Sequence, residues 1–163
     1  MYRHALTCFL TFCLMVHLGW STMAAAETGI PLQVTDTDTE TTVEFNMEQL
    51  DAMPQVSFTT STIWTDGDVV FSGVPLSLVL GAAADQGTTV EMVALNDYKV
   101  DMPISAIDES TPIVATRMNG EVMSVRDKGP YWVVFPYDDA PRYQTETIYS
   151  YSIWQLNRLK VVD

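Results

Sequence analysis

Apolar and polar positions alternate along most of this chain in short runs that fit strands, and few runs are long enough for more than a brief helix. Thr35–Thr42 is an acidic Thr/Asp run that reads as a flexible or edge segment. Val43 and Phe45 then alternate as a strand. Asn46 follows as the cap of a short helix: Gln49, three positions on, completes a capping box, and Phe45 can staple against Leu50. Pro54 ends that helix. Val56, Phe58 and Thr60 alternate with Ser57, Thr59 and Ser61, predicting a strand that runs on to Ile63-Trp64. Asp66-Gly67 is a turn signal, and Val69–Phe71 reads as strand. Pro75 suits the first turn of a helix over Leu76–Ala84, with Gly87 closing it. Val90–Leu95 and Tyr98–Met102 flank Asn96-Asp97 as a hairpin, and Ile104–Asp108 predicts a short helix.

The clearest hairpin signal lies further on. Asn119-Gly120 stands between two apolar runs, where a tight I′ turn needs positive φ at both central residues. A charged loop, Arg126-Asp127-Lys128-Gly129-Pro130, leads into a strand that ends at Pro136. After a loop containing Asp138, Asp139 and Pro141, the patterns of Ile148–Leu156 and Arg158–Val162 predict two last strands. Many short strands with few helices define a single α+β domain dominated by mixed sheet.

The first residues follow another logic. Arg3 and His4 precede an uncharged apolar run from Ala5 to Leu18, and Ala24-Ala25-Ala26 offers a small-residue cleavage site. This is the pattern of a secretory signal peptide over residues 1–26, too short for a membrane span, and it predicts export to a periplasm. Cleavage after Ala26 leaves residues 27–163 as the domain.

That cut removes Cys8, Cys13, His4 and His17, every cysteine and histidine in the chain. The remaining domain can form no disulfide, no Cys/His zinc site and no Ser-His or Cys-His catalytic triad. It carries seven Lys or Arg against 21 Asp or Glu, a charge of −14, which repels nucleic acid and anionic lipid. Carboxylate chemistry and aromatic surfaces are what remain. Trp132, set between Tyr131 and Val133 in a strand, reads as core. Trp64 and Trp154 are candidates for ligand contact.

Several segments carry a family resemblance. R-M-N-G-E from Arg117, followed by K-G-P-Y-W-V-V-F-P-Y from Lys128, resembles the second half of the sulfite-oxidase-type molybdopterin domain, the SUOX fold. Gly73-Val74-Pro75-Leu76, Ala94-Leu95-Asn96-Asp97-Tyr98 and Ser152-Ile153-Trp154-Gln155-Leu156 agree in order and spacing, so the likeness runs from about Val43 to Val162. The enzymes of that family ligate molybdenum through a cysteine whose position falls near Thr62. Near the C-terminus they often carry a cofactor-holding lysine where this chain has Trp154. Both departures argue against an oxidoreductase, and the fold by itself does not fix the chemistry.

Small exported SUOX-fold proteins without the cysteine are similar to the PruR-like regulators. That resemblance implies binding of a reduced, metal-free pterin, with the molybdenum cofactor absent. It also implies contact with the periplasmic domain of an inner-membrane signalling protein, a cyclic-di-GMP synthase/phosphodiesterase or a sensor kinase. Under that reading Trp64 and Trp154 stack on the pterin and Tyr98 helps bound the pocket. Asn96, Asp97 and Asp127 are candidates for its amino edge, while Arg117, Arg126 and Lys128 could take its oxygens. Two alternatives stand beside it: a molybdopterin-dependent oxidoreductase or its subunit, and an adaptor domain with no small ligand.

Overall fold

The computed structural model describes residues 29–163; the signal-peptide reading lies outside the described residues. Ten strands form two sheets, and with only short helices between them the fold is α+β with mixed sheet. The first sheet has the order β2-β1-β10-β5-β6, from β1 (Leu32–Asp36), β2 (Thr41–Phe45), β5 (Thr89–Ala94), β6 (Lys99–Pro103) and β10 (Leu156–Val162). Only β1 and β10 pair in parallel; the other neighbours are antiparallel. The second sheet runs β3-β4-β7, from β3 (Val56–Thr60), β4 (Val69–Pro75) and β7 (Ile113–Met118). Beyond β7 lie both β8 (Glu121–Val122) and β9 (Trp132–Val134), paired with opposite ends of that strand.

The period-2 pattern explains the core. Leu32, Val34, Val90, Met92, Leu159 and Val161 from the first sheet and Phe71, Ile113, Ala115 and Trp132 from the second join one buried cluster. Gly73 lets the two central strands of the second sheet approach. A Cβ there would lie 2.0 Å from the Val114 carbonyl oxygen, beside the register shift between Ser72 and Gly73.

The expected capping box is present. In α1 (Met47–Asp51) the Asn46 Oδ1 accepts from the Gln49 N–H at 2.8 Å, and the Gln49 Oε1 accepts from the Asn46 N–H at 2.9 Å. The Asn119-Gly120 turn also forms as expected, with φ of 53° and 84°. Asn119 does more than turn: its Oδ1 accepts from the Val70 N–H at 3.0 Å, and its N–H donates to the Val70 carbonyl at 2.7 Å. The amide side chain thus continues the β4–β7 ladder into the turn.

The Thr35–Thr42 run is the edge segment of its two expected forms: it spans the β1–β2 hairpin, β1 already includes Thr35 and Asp36, and β2 forms the sheet edge. Three expectations are corrected. The strand through Phe58 stops at Thr60, because the Ser61 N–H and hydroxyl turn to the Asp138 carboxylate instead of a neighbouring strand. The helix expected over Leu76–Ala84 is α-helical only over α2 (Leu76–Leu80), and Gly81, at φ 53°, converts the rest to a 3-10 turn, Gly81–Asp85. Ile148–Leu156 is not a strand. Thr145 caps α3 (Glu146–Tyr151), its Oγ1 accepting from the Ile148 N–H at 3.3 Å.

Candidate functional site

Three segments meet at one end of the first sheet. The β3–β4 loop supplies Trp64. The β5–β6 turn supplies Asn96 and Tyr98. α3 supplies Tyr149 and Ser150, and its connection into β10 supplies Ser152, Ile153, Trp154 and Gln155. With Ala94 they enclose a cavity of about 330 Å³, near the lower end of the range for small-molecule pockets. None of these lining side chains carries a charge.

Each wall has a local cause. The Trp64 loop is pinned at its start by Asp138, whose carboxylate accepts from the Ser61 N–H, the Ser61 Oγ at 2.9 Å and the Thr60 Oγ1 at 3.3 Å. These bonds, the Ser61 backbone N–H first, hold the Asp138 carboxyl below its ordinary value. The Thr62 Oγ1 accepts from the Trp64 N–H at 3.0 Å and shares a 2.8 Å bond with the Thr65 hydroxyl, which shapes the turn beneath the indole. At the opposite wall, residues 152–156 cross the end of β9: the Val133 N–H donates to the Ile153 carbonyl and the Leu156 N–H to the Tyr131 carbonyl, each at 2.9 Å.

Behind the cavity stands a cluster of interlocked rings. Trp64 packs edge-on against Trp154 at 5.6 Å, Trp132 and Tyr149 at 5.9 Å each, and Tyr137 at 6.4 Å. Trp132 is fully buried, as its strand pattern predicts, and its Nε1 donates to the Ser152 carbonyl at 3.1 Å. Trp154 is 39% exposed and lies 6.4 Å from Trp132. Beneath them the Tyr137 hydroxyl donates to the Ser152 Oγ at 2.6 Å, which donates to the Ile148 carbonyl at 2.9 Å. Burial pushes the Tyr137 hydroxyl up to about 12, so it stays a neutral donor.

Of the residues singled out in the sequence, the structure brings Trp64, Asn96, Tyr98 and Trp154 to this cavity. It does not bring the others. Asp97, at φ 62°, turns to the Arg158 guanidinium at 2.6 Å. Arg117 forms a two-point pair with Asp51, at 2.5 and 2.7 Å. Arg126 and Asp127 sit on an exposed 3-10 turn, Val125–Asp127, where the Asp127 carboxylate accepts from the Ser124 hydroxyl at 2.7 Å. Lys128 places its ammonium 5.6 Å from the centre of the Trp132 ring. Tyr149, Ser150 and Gln155 were not singled out. Thr145 followed by Glu146 is a helix-start signal that could have placed Tyr149 and Ser150; Gln155 lies in the Ser152–Leu156 segment that carries the resemblance, and reaches the cavity at φ 53°.

No family model matches the chain, and no curated protein matches it. Among solved structures it is similar to the sulfane dehydrogenase SoxCD from Paracoccus pantotrophus, with a TM-score of 0.59 and 18% identity. The match covers 82% of this chain and 38% of the SoxCD chain, so the chain spans well under half the length of that protein. At this identity the likeness is one of fold, and at that level it supports the relation to the sulfite-oxidase-type molybdopterin domain.

The Thr62 hydroxyl, near which the resemblance places the enzymes' metal-ligating cysteine, is engaged with Thr65 and the Trp64 N–H. Among the described residues no cluster of three or more His, Cys, Asp or Glu is placed to hold a metal ion.

Proposed function

We propose that this chain is an exported, non-catalytic regulator. It binds a reduced, metal-free pterin, and the bound ligand controls docking on the periplasmic domain of an inner-membrane signalling protein. That partner is a cyclic-di-GMP synthase/phosphodiesterase or a sensor kinase. The observation that carries the ligand class is an uncharged cavity walled by the rings of Trp64, Tyr98, Tyr149 and Trp154. Such walls favour a flat, neutral ring that can stack or pack edge-on.

Two amides in the cavity wall add a polar edge. The Asn96 Oδ1 accepts from the Tyr98 N–H at 3.1 Å, which leaves its Nδ2 as a donor. The Gln155 Nε2 donates to the Val125 carbonyl at 2.7 Å, which leaves its Oε1 as an acceptor. One donor and one acceptor suit the amide-like edge of a pterin, whereas a phosphorylated ligand would meet no countercharge. Export rests on the signal-peptide pattern of residues 1–26, and the membrane partner on the sequence resemblance. The ligand shifts docking only by its differential affinity for the docking conformation.

The test is an anaerobic titration of the processed protein with dihydro- and tetrahydropterins, followed by tryptophan fluorescence. Stacking on one ring is worth about 1–3 kcal/mol, so Trp154→Ala should weaken binding roughly 5- to 150-fold while the domain stays folded. Glu121→Ala, on exposed β8, should leave binding unchanged. If wild type shows no saturable quenching at high micromolar pterin, the ligand reading is overturned in favour of an adaptor whose site is filled by Trp64 itself. Stoichiometric molybdenum in natively expressed protein would overturn it in favour of the oxidoreductase.

A further inference from the structure

A second concave surface lies on different elements from the pterin cavity. Val34, Val43, Phe45, Leu78, Val79, Leu80, with the small residues of the 3-10 turn after α2, line an open groove of about 570 Å³ between the β1–β2 hairpin and α2. Two of its apolar side chains face solvent: Val43 is 48% exposed and Leu78 42%. The groove borders β2, which is the outer strand of its sheet and exposed from Thr41 to Glu44. Alternation along β2 sets Thr41, Val43 and Phe45 toward the groove. A strand laid beside β2 would therefore find both backbone groups that are unpaired among the described residues and an apolar floor for its alternate side chains.

Charge identifies the occupant. The chain has no Lys or Arg between Arg3 and Lys99, so all seven cations after the predicted cleavage site lie from Lys99 onward. The groove is built entirely from the cation-free half. Asp36, at its end, is fixed by the Thr39 hydroxyl at 2.8 Å and the Asp38 N–H at 3.0 Å, and Asp38, Glu40 and Glu44 stand on the same hairpin. A second copy is a poor occupant, because pairing β2 with β2 would bring these carboxylates together.

We infer that the β2 edge and the groove against α2 accept an extended strand of a partner protein. Its alternate residues are apolar and the others are Lys or Arg. The partner main chain extends the sheet, its apolar residues cover Val43 and Leu78, and its cations meet the hairpin carboxylates. This inference uses no residue of the pterin cavity and survives or fails independently of that reading.

The probe is a fluorescent octapeptide of alternating Ile and Lys, titrated against the processed protein by anisotropy. Comparison peptides replace Lys with Glu, or N-methylate every second residue to remove the edge hydrogen bonds. Ile-Lys should bind saturably and slow amide exchange across residues 41–45, with affinity falling as salt rises. N-methylation and Leu78→Asp should each weaken it more than tenfold, while the Leu78→Asp melting temperature stays within a few degrees of wild type. A Glu44→Lys variant, on an exposed position that should not affect folding, gives a second reading and should also weaken it. No binding of the Ile-Lys peptide, or equal binding of its N-methylated form, overturns the proposal. So does concentration-dependent self-association that the peptide does not compete, which would make the groove an interface between copies.

Discussion

At the scale of single residues, the site separates two tryptophans that look alike in sequence. Trp64 is half-buried and touches four rings, so it both shapes the cavity and holds its own loop. Trp154 has fewer ring neighbours and more solvent, which is why its removal tests the ligand without dismantling the fold. The Trp64 loop in turn hangs on Asp138. A carboxyl whose folded pKa lies below its unfolded value contributes stability that is complete above 3.8 and lost as pH falls through the lower folded value. Acid titration should therefore produce a Trp64 fluorescence transition below pH 3.8, before global unfolding. Asp138→Ala should show the released fluorescence already at neutral pH. An identical acid profile in wild type and variant would remove Asp138 as the clasp.

Among the elements, α3 is the one whose position depends most on a buried polar chain. Tyr137 donates to Ser152, and Ser152 donates to the Ile148 carbonyl inside the helix. The two ends of that chain are unequal. Tyr137→Phe leaves Ser152 still bonded to Ile148, and should cost about 1 kcal/mol. Ser152→Ala leaves the buried Tyr137 hydroxyl without this acceptor, and should cost about 1–3 kcal/mol. Urea denaturation of the two variants checks the order; a larger loss for Tyr137→Phe would mean that the chain does not hold α3 in this way.

Across the whole molecule, two sheets close over one apolar cluster without any covalent link among the described residues, since both cysteines fall at Cys8 and Cys13. Stability is then set by burial and by the sheet ladders, with electrostatic repulsion opposing it at a charge of −13 for the full sequence. Dithiothreitol should leave the melting temperature of the processed protein unchanged. A reductant-dependent shift would show that Cys8 and Cys13 remain in the folded protein, overturning the cleavage expectation.

Legibility followed the range of the interactions. The Asn46 capping box, the Asn119-Gly120 turn, the Asp66-Gly67 turn and the alternating strands were readable because each depends on residues a few positions apart. The α+β class followed from those patterns, and the buried place of Trp132 from its alternation. Apolar residues did not by themselves distinguish α3 from a strand: Ile148, Tyr149 and Ile153 fit either period, and contact with the buried Tyr137 network decides between them. Nor could sequence distance show that Arg117 would meet Asp51, or Asp97 would meet Arg158, which took two predicted ligand contacts into ion pairs. The cavity is the clearest case. Trp64, Asn96, Tyr149 and Trp154 come together only because the strand ends and α3 converge there, and that convergence is set by sheet order and long-range packing.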